Sequence, residues 1–335
     1  MDAIQLPARP KILIIRFNAI GDIILTTPVI RAIHHQIKQA EIHILVNQKY
    51  QNVLANNPYI SKIHTYSNNK NQVVEQLKTE QFNFVLDLQN TRKSHKICHQ
   101  LNLPHSSFNK LKIKKLIYTR LKINTLPLNH IVDRYFDAAK PLLIVNDGRG
   151  LDFNIPETEK FNTDNLPIFF EDGFIAILLD ADKGTKKIPI NKLMEIIPML
   201  LKPVVLIGDK NSSAIGDELV NRLGDRVYNI CGQLSVNQYA SLIDQSLCVL
   251  TGDNDYMQVA AALRKPICSL WGSSIPEFGN YPYMPTDREL FRMFEICSIK
   301  CRPCGKRGFR KCPHRNFKCM NRISSFEVAE WINQF

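Results

Sequence analysis

Along the chain, short continuous apolar runs alternate with stretches whose apolar residues recur at helical spacing. "KILIIRF" from Lys11, "EIHILV" from Glu41 and "FNFVLDL" from Phe82 predict buried strands. "TTPVIRAIHHQIKQ", "NNKNQVVEQLKTE" and "HIVDRYFDAAKPLL" predict amphipathic helices between and after them. A polar, proline-containing passage from about Asn146 to Asp172 then predicts a linker. Alternation resumes with strands "FIAILLD", "PVVLIG", "RVYNI", "CVLTGD" and "PICSLWG". The helices "NKLMEIIPMLL", "SSAIGDELVNRL", "SVNQYASLID" and "MQVAAAL" lie between them. Strand–helix alternation gives parallel sheets covered on both faces. Its occurrence on both sides of a linker predicts an α/β protein of two Rossmann-like, doubly wound domains facing across a cleft, residues 1–157 and 158–335.

In open parallel sheets, ligands sit beyond the carboxyl ends of the strands. Gly21 in the first half, and Gly208, Gly252 and Gly272 in the second, fall at such ends. No G-x-G-x-x-G follows any strand, which argues against a dinucleotide oxidoreductase. The turn "TGDNDYM" at Thr251 opens a helix, a natural place for phosphate, yet it carries two carboxylates, Asp253 and Asp255.

Charge sharpens the picture. The 335 residues carry a formal charge of +12. From Leu88 to Val132 there are nine Lys or Arg and no acid, and the same holds from Ile296 to Phe326. Such fields favour nucleic acid, an anionic membrane face or a phosphorylated substrate. The N-terminus has no signal-peptide pattern, and no apolar run approaches the roughly 20 residues of a membrane span. The expectation is a cytoplasmic protein whose only membrane contact is peripheral.

Five of the nine cysteines fall near the end, in a basic Cys-rich segment, residues 297–319. Cys301-x₂-Cys304 followed by Cys312 and Cys319 is compatible with a structural zinc knuckle, with His314 as a substitute ligand and Cys297 as a spare. The opposing reading is four reduced thiols in a compact loop. Cys231, Cys248 and Cys268 lie in or beside apolar strands and read as core.

"IIRFNAIGDIILTTPVIRAI" resembles the opening of glycosyltransferase family nine, the ADP-heptose:lipopolysaccharide heptosyltransferases. "VLDLQNTRKS" resembles that family's acceptor-side strand and loop. "KKIP", "NICGQLSVNQYASLI", "TGDNDYMQVAAALRKPICSLWGSSIPEFGNYPY" and "CRPCGKRGFRKCPHRNFKCM" follow in the family's order. The resemblance implies a GT-B glycosyltransferase, inverting and without a catalytic metal, moving heptose from ADP-heptose onto the lipopolysaccharide core. Its N-terminal domain would bind the anionic, lipid-linked glycan acceptor and its C-terminal domain the nucleotide sugar. Asp22 falls on the catalytic base, Gly21 and Arg92 on the acceptor side, and Lys186 on a lysine touching the donor diphosphate. Asp253, Asn254, Asp255, Tyr256, Met257 and Gln258 fall on the donor loop.

The chemistry suits those residue types: a base for the attacking hydroxyl and positive potential for the departing diphosphate. Two positions depart from the family pattern. Asp255 stands where a glycine is usual and Gln258 where a histidine is usual. A carboxylate about 5 Å from a diphosphate oxygen costs about 3 kcal/mol at an effective dielectric near 20. The alternative is therefore a catalytically impaired relative that binds an anionic glycan or lipid. A nucleic-acid module ranks last, because only Phe309 and Phe317 interleave the basic residues of the Cys-rich segment.

Overall fold

The structure, a computed structural model, describes residues 4–66 and 70–335. It comprises two compact units. One is formed by residues up to Leu111 together with Asn129–Asn154, the other by Lys112–Leu128 together with Ile155–Phe335.

The first unit holds a five-stranded sheet of β1 (Lys11–Ile15), β2 (Glu41–Asn47), β3 (Lys62–Tyr66), β4 (Phe84–Asp87) and β5 (His105–Ser107), in the order β3-β2-β1-β4-β5. Every neighbouring pair is parallel, with Ile12 opposite both Ile42 and Phe84. Leu13, Ile15, Leu45 and Val85 enter a core closed by Val73, Val74 and Leu77 of helix Lys70–Thr79 and by Ile97, Cys98 and Leu101 of helix Arg92–Leu101. Asn68 and Asn69, which begin the predicted second helical stretch, lie outside the described residues. Helix Thr27–Gln36 is anchored by Arg31, which is 1% exposed. Its guanidinium donates twice to Asp147 (2.7 and 2.8 Å), to the Gly150 carbonyl (2.9 Å) and to Asp152. The start of the predicted linker is thus bound into this unit by an ion-pair network.

The second unit holds β6 (Ile175–Leu178), β7 (Val204–Ile207), β8 (Val227–Asn229), β9 (Cys248–Thr251), β10 (Ile267–Trp271) and β11 (Phe291–Glu295), in the order β11-β10-β9-β6-β7-β8, again all parallel. Its core joins Ile175, Ile177, Leu206, Leu250 and Leu270 to Leu193 and Ile196 of one helix and to Val328, Trp331 and Ile332 of the last helix, Ser325–Ile332. Cys231, Cys248 and Cys268 are buried there.

The structure adds β3, β5 and β11 to the strands expected, and helices Arg92–Leu101, Lys112–Leu121 and Ser325–Ile332. β3, β5 and β11 are sheet edges, where half the strand faces away from the core and no continuous apolar run is required.

Candidate active site

In the first unit, the chain leaves β1 through Arg16 and Phe17 and enters the short helix Ile20–Ile24. Gly21 is buried in it, and Asp22 is the acidic residue of its first turn. Asp22 is ion-paired with Arg16, whose side chain is buried. Arg16 also donates to the Leu88 carbonyl beyond β4 and lies 5.9 Å from the Phe108 ring centroid and 5.8 Å from that of Tyr135. Burial alone would push this guanidinium toward losing its proton. Asp22, joined by Tyr135 and Asp87, outweighs that, and the group is held above its ordinary range. A buried arginine, stacked on two aromatic rings, therefore fixes the one partly open carboxylate of this turn. The Gln89 side chain accepts from the Phe17 amide (2.9 Å), and Asp87 accepts from the amides of Gln89 (2.9 Å) and Asn90 (2.8 Å), which ties the carboxyl ends of β1 and β4 together.

Sequence reasoning named Asp22 but passed over Arg16, although an arginine ending the apolar run "KILII" is itself a signal: a charge so placed needs a partner. Arg92 lies exposed at the first position of helix Arg92–Leu101, whose Thr91–Ser94 capping box satisfies the helix start without it.

The second unit assembles most of the remaining predicted residues. The Lys186 ammonium lies 2.9 Å from Asp253 and 3.3 Å from Asp182, with its side chain 15% exposed. Burial works against its charge, but Asp253 and then Asp182 outweigh burial and hold the ammonium above the usual lysine range. Lys186 reaches this position on a single 3-10 turn, Gly184–Lys186, laid across the carboxyl ends of β9 and β10. Gly252 makes the approach feasible: a Cβ there would stand 2.2 Å from the Lys186 carbonyl oxygen. On the turn's other side a Cβ at Gly184 would stand 2.3 Å from the carbonyl oxygen of Arg310.

The turn is held from the Cys-rich segment. The buried Thr185 hydroxyl accepts from the Phe309 amide (2.7 Å) and from the Ser273 hydroxyl (2.8 Å), and donates to the Phe309 carbonyl (2.9 Å). Two acceptances and one donation are all a hydroxyl can make. Nearby, the Cys304 amide donates to the Ser273 carbonyl (3.1 Å), and Arg302, ion-paired with Glu295 at 2.7 Å, donates to the carbonyls of Gly272 and Ser274.

The loop after β9 is tightly built. Asn254 donates to the Asp180 carbonyl and accepts from the Tyr256 amide (2.6 Å). The amides of Met257 and Gln258 are bonded to the carbonyls of Asn254 (3.3 Å) and Asp255 (3.2 Å). The first amides of helix Tyr256–Ala262 are therefore engaged within the turn, and the positive charge beside it comes from Lys186. Asp255 is exposed with φ −67° and ψ −38°, an ordinary helical conformation. The strain expected of a side chain replacing glycine is absent at this position. Gln258 is buried and donates to the carbonyls of Asn280 (2.9 Å) and Tyr281 (3.1 Å).

Cys301, Cys304, Cys312 and Cys319 line one cavity of about 220 Å³, together with His314. Burial first, and the neighbouring thiols next, push Cys304 up to about 12. Burial raises Cys319 to about 11. The donor set is soft sulfur, which suits zinc or iron. A different group occurs in the first unit: His43, His64 and Glu80 present ligand atoms all within 4.8 Å of one another. There, however, Glu80 already carries Lys62 at 2.5 Å and Lys11 at 3.9 Å, and the two imidazoles bond each other at 2.9 Å. This group sits near the amino ends of β2 and β3, away from Asp22, and reads as a buried, charge-balanced pair.

Two parallel α/β sheets with these residues at their strand ends place the chain in the GT-B class of glycosyltransferases. It superposes on the Escherichia coli ADP-heptose lipopolysaccharide heptosyltransferase II with a TM-score of 0.73 at 20% identity, covering 97% of this chain and 98% of that one. The iron-containing dodecameric glycosyltransferase TibC from enterotoxigenic E. coli H10407 gives a TM-score of 0.60 at 14% identity, covering 99% of this chain and 77% of that one. In sequence, the chain is 24% identical to lipopolysaccharide heptosyltransferase 3 of E. coli K12 (83% of this chain, 91% of the relative). It is 22% identical to lipopolysaccharide heptosyltransferase 1 of Campylobacter coli (81% and 86%). The family model of glycosyltransferase family 9 (heptosyltransferase) matches residues 71–306, and the chain belongs to that family.

Proposed function

We propose that the protein transfers a heptosyl group from ADP-heptose to a hydroxyl of an anionic, lipid-linked lipopolysaccharide core glycan, with inversion at the anomeric carbon, in the cytoplasm at the inner membrane face. The observation that carries the reading is the buried Lys186 ammonium beside Asp253, on the strand ends where an open α/β sheet binds its ligand. In this reading Asp22, held by Arg16, accepts the proton of the attacking acceptor hydroxyl. The bond from that oxygen to the anomeric carbon forms as the bond from the anomeric carbon to the diphosphate oxygen breaks. The diphosphate leaves with the electron pair, and Lys186 stabilises its charge, so no catalytic metal is invoked. Gly21 and Arg92 lie on the acceptor side, and Asn254 to Gln258 shape the donor loop.

The same reading gives Cys301, Cys304, Cys312 and Cys319 a structural zinc ion, whose chemistry is to tie the Cys-rich segment together as a folding cross-link. TibC is iron-containing, so zinc and iron are both to be measured in protein purified without chelator; absence of both removes the assignment.

Asp22→Ala tests the main reading. Transfer is expected to fall at least a thousandfold while ADP binding persists, with the melting temperature lowered because buried Arg16 loses its ion-pair partner; full activity in that variant refutes the base assignment. The alternative, a relative that binds without turnover, rests on Asp255 and Gln258. The exposure of Asp255 weakens it, because solvent screens an exposed carboxylate. Calorimetry with ADP and ADP-sugars separates the two, and no binding to any of them favours the alternative.

A further inference from the structure

Helix Lys112–Leu121 and the segment that follows it, to Leu128, are built the wrong way round for a globular protein. The helix has no buried residue. Cationic side chains fasten it to the rest of the second unit. The Lys115 ammonium donates to the Phe278 carbonyl (3.0 Å) and sits 5.0 Å from that ring's centroid. Just past the helix, Lys122 donates to the carbonyls of Cys301 (3.1 Å) and Pro303 (2.8 Å). On a repeat of about 3.6 residues per turn, Lys115, Tyr118 and Lys122 form one stripe. The opposite stripe is Ile113, Leu116, Ile117, Arg120 and Leu121, with Lys112 and Lys114 at its flanks. Ile113 is 75% exposed, Leu121 65%, and beyond the helix Ile123 is 54% and Leu128 95% exposed. An amphipathic helix normally turns its apolar stripe inward. This one turns Lys115 and Lys122 to the protein and leaves Ile113 and Leu121 outside, with Leu116 37% exposed and Ile117 half-buried.

We propose that residues 112–128 are a bilayer-docking element, with Ile113, Leu116 and Leu121 inserted at the level of the acyl-chain boundary and Lys112, Lys114 and Arg120 on anionic lipid headgroups. Charge complementarity selects this occupant. The surrounding stretch, Leu88–Val132, has nine bases and no acid, and the chain carries +12, so a second copy meeting this face would bring like charge against like. Apolar side chains rimmed by lysine and arginine are what an interfacial helix presents to an anionic bilayer. No helix among the described residues is long and apolar enough to cross a membrane, so the contact is a surface one. The proposal rests on the membrane location in the proposed function, not on the transfer chemistry.

The test is flotation of the full chain with vesicles of phosphatidylethanolamine and phosphatidylglycerol against vesicles of phosphatidylcholine. Wild type is expected to partition at least tenfold more strongly into the anionic vesicles, and less so as salt rises. Ile113→Asp with Leu121→Asp is expected to cut that partition at least tenfold, with melting temperature and ADP binding unchanged because both positions are exposed. Equal flotation of that variant overturns the assignment of the helix while leaving the membrane reading intact. No flotation of wild type overturns both, leaving the transferase chemistry untouched. A dimer lost in the variant, without vesicle binding, assigns the face to a second copy instead.

Discussion

Replacing Thr185 by valine removes one oxygen and keeps the side chain's shape. The hydroxyl has three partners at 2.7, 2.8 and 2.9 Å and is buried. Ser273 keeps an acceptor, the Thr185 carbonyl at 3.1 Å, so its loss is partial. The Phe309 amide loses the oxygen 2.7 Å away in a partly buried bond, and a donor left unpaired costs about 1–3 kcal/mol. The expected destabilisation is about 2 kcal/mol. For a unit of about 200 residues that lowers the melting temperature by roughly 4–8 °C. Calorimetric melting reads this directly. The same protein titrated with ADP is expected to bind more weakly, because the turn carrying Lys186 then keeps only one bond to residue 309, from the Thr185 amide to the Phe309 carbonyl (3.0 Å). A melting temperature within 1 °C of wild type, with unchanged ADP affinity, refutes the claim that the Cys-rich segment holds this turn.

Three further outcomes follow from the geometry. Lys186→Met should weaken ADP binding by about tenfold to a hundredfold, the worth of a charge-assisted hydrogen bond; equal affinity by calorimetry removes Lys186 from the donor site. The His64 imidazole, lowered to about 4 mainly by burial and then by His43, takes up its proton more readily unfolded than folded. Stability should thus fall as pH drops from about 6.5 toward 4, by about 2 kcal/mol between pH 7 and 5. Urea titrations that find no such loss, or the same loss in His64→Gln, dismiss it. Cys301→Ser with Cys304→Ser should abolish any bound zinc or iron and lower the melting temperature, and metal retained at wild-type stoichiometry sinks the four-thiol assignment.

The sequence made the central strands legible because each is buried on both faces and reads as an unbroken apolar run, as in "KILII" or "CVLT". The strands it missed are β3, β5 and β11, whose exposed faces admit Lys62, His105 and Arg292. Helix Lys112–Leu121 was read only as charge, since its apolar positions serve no core. Residue types and family order singled out Asp22, Lys186 and Asp253 as candidates, and the structure pairs Lys186 with Asp253. Partners set by tertiary approach were not visible: Arg16 under Asp22, or Thr185 against Phe309, 124 residues away in the chain. Asp255 was undecidable from sequence, because its effect turns on whether it points outward.

The bond between Thr185 and Phe309 has a consequence for synthesis. A ribosome that has passed β6–β10 has made every strand flanking the Lys186 turn, but not the residue that fastens it, nor the last helix that packs into the core of the same sheet. The Lys186 turn is therefore secured only once residue 309 has been made, and a nascent chain lacking residues from 306 onward should leave cellular nucleotide sugar untouched.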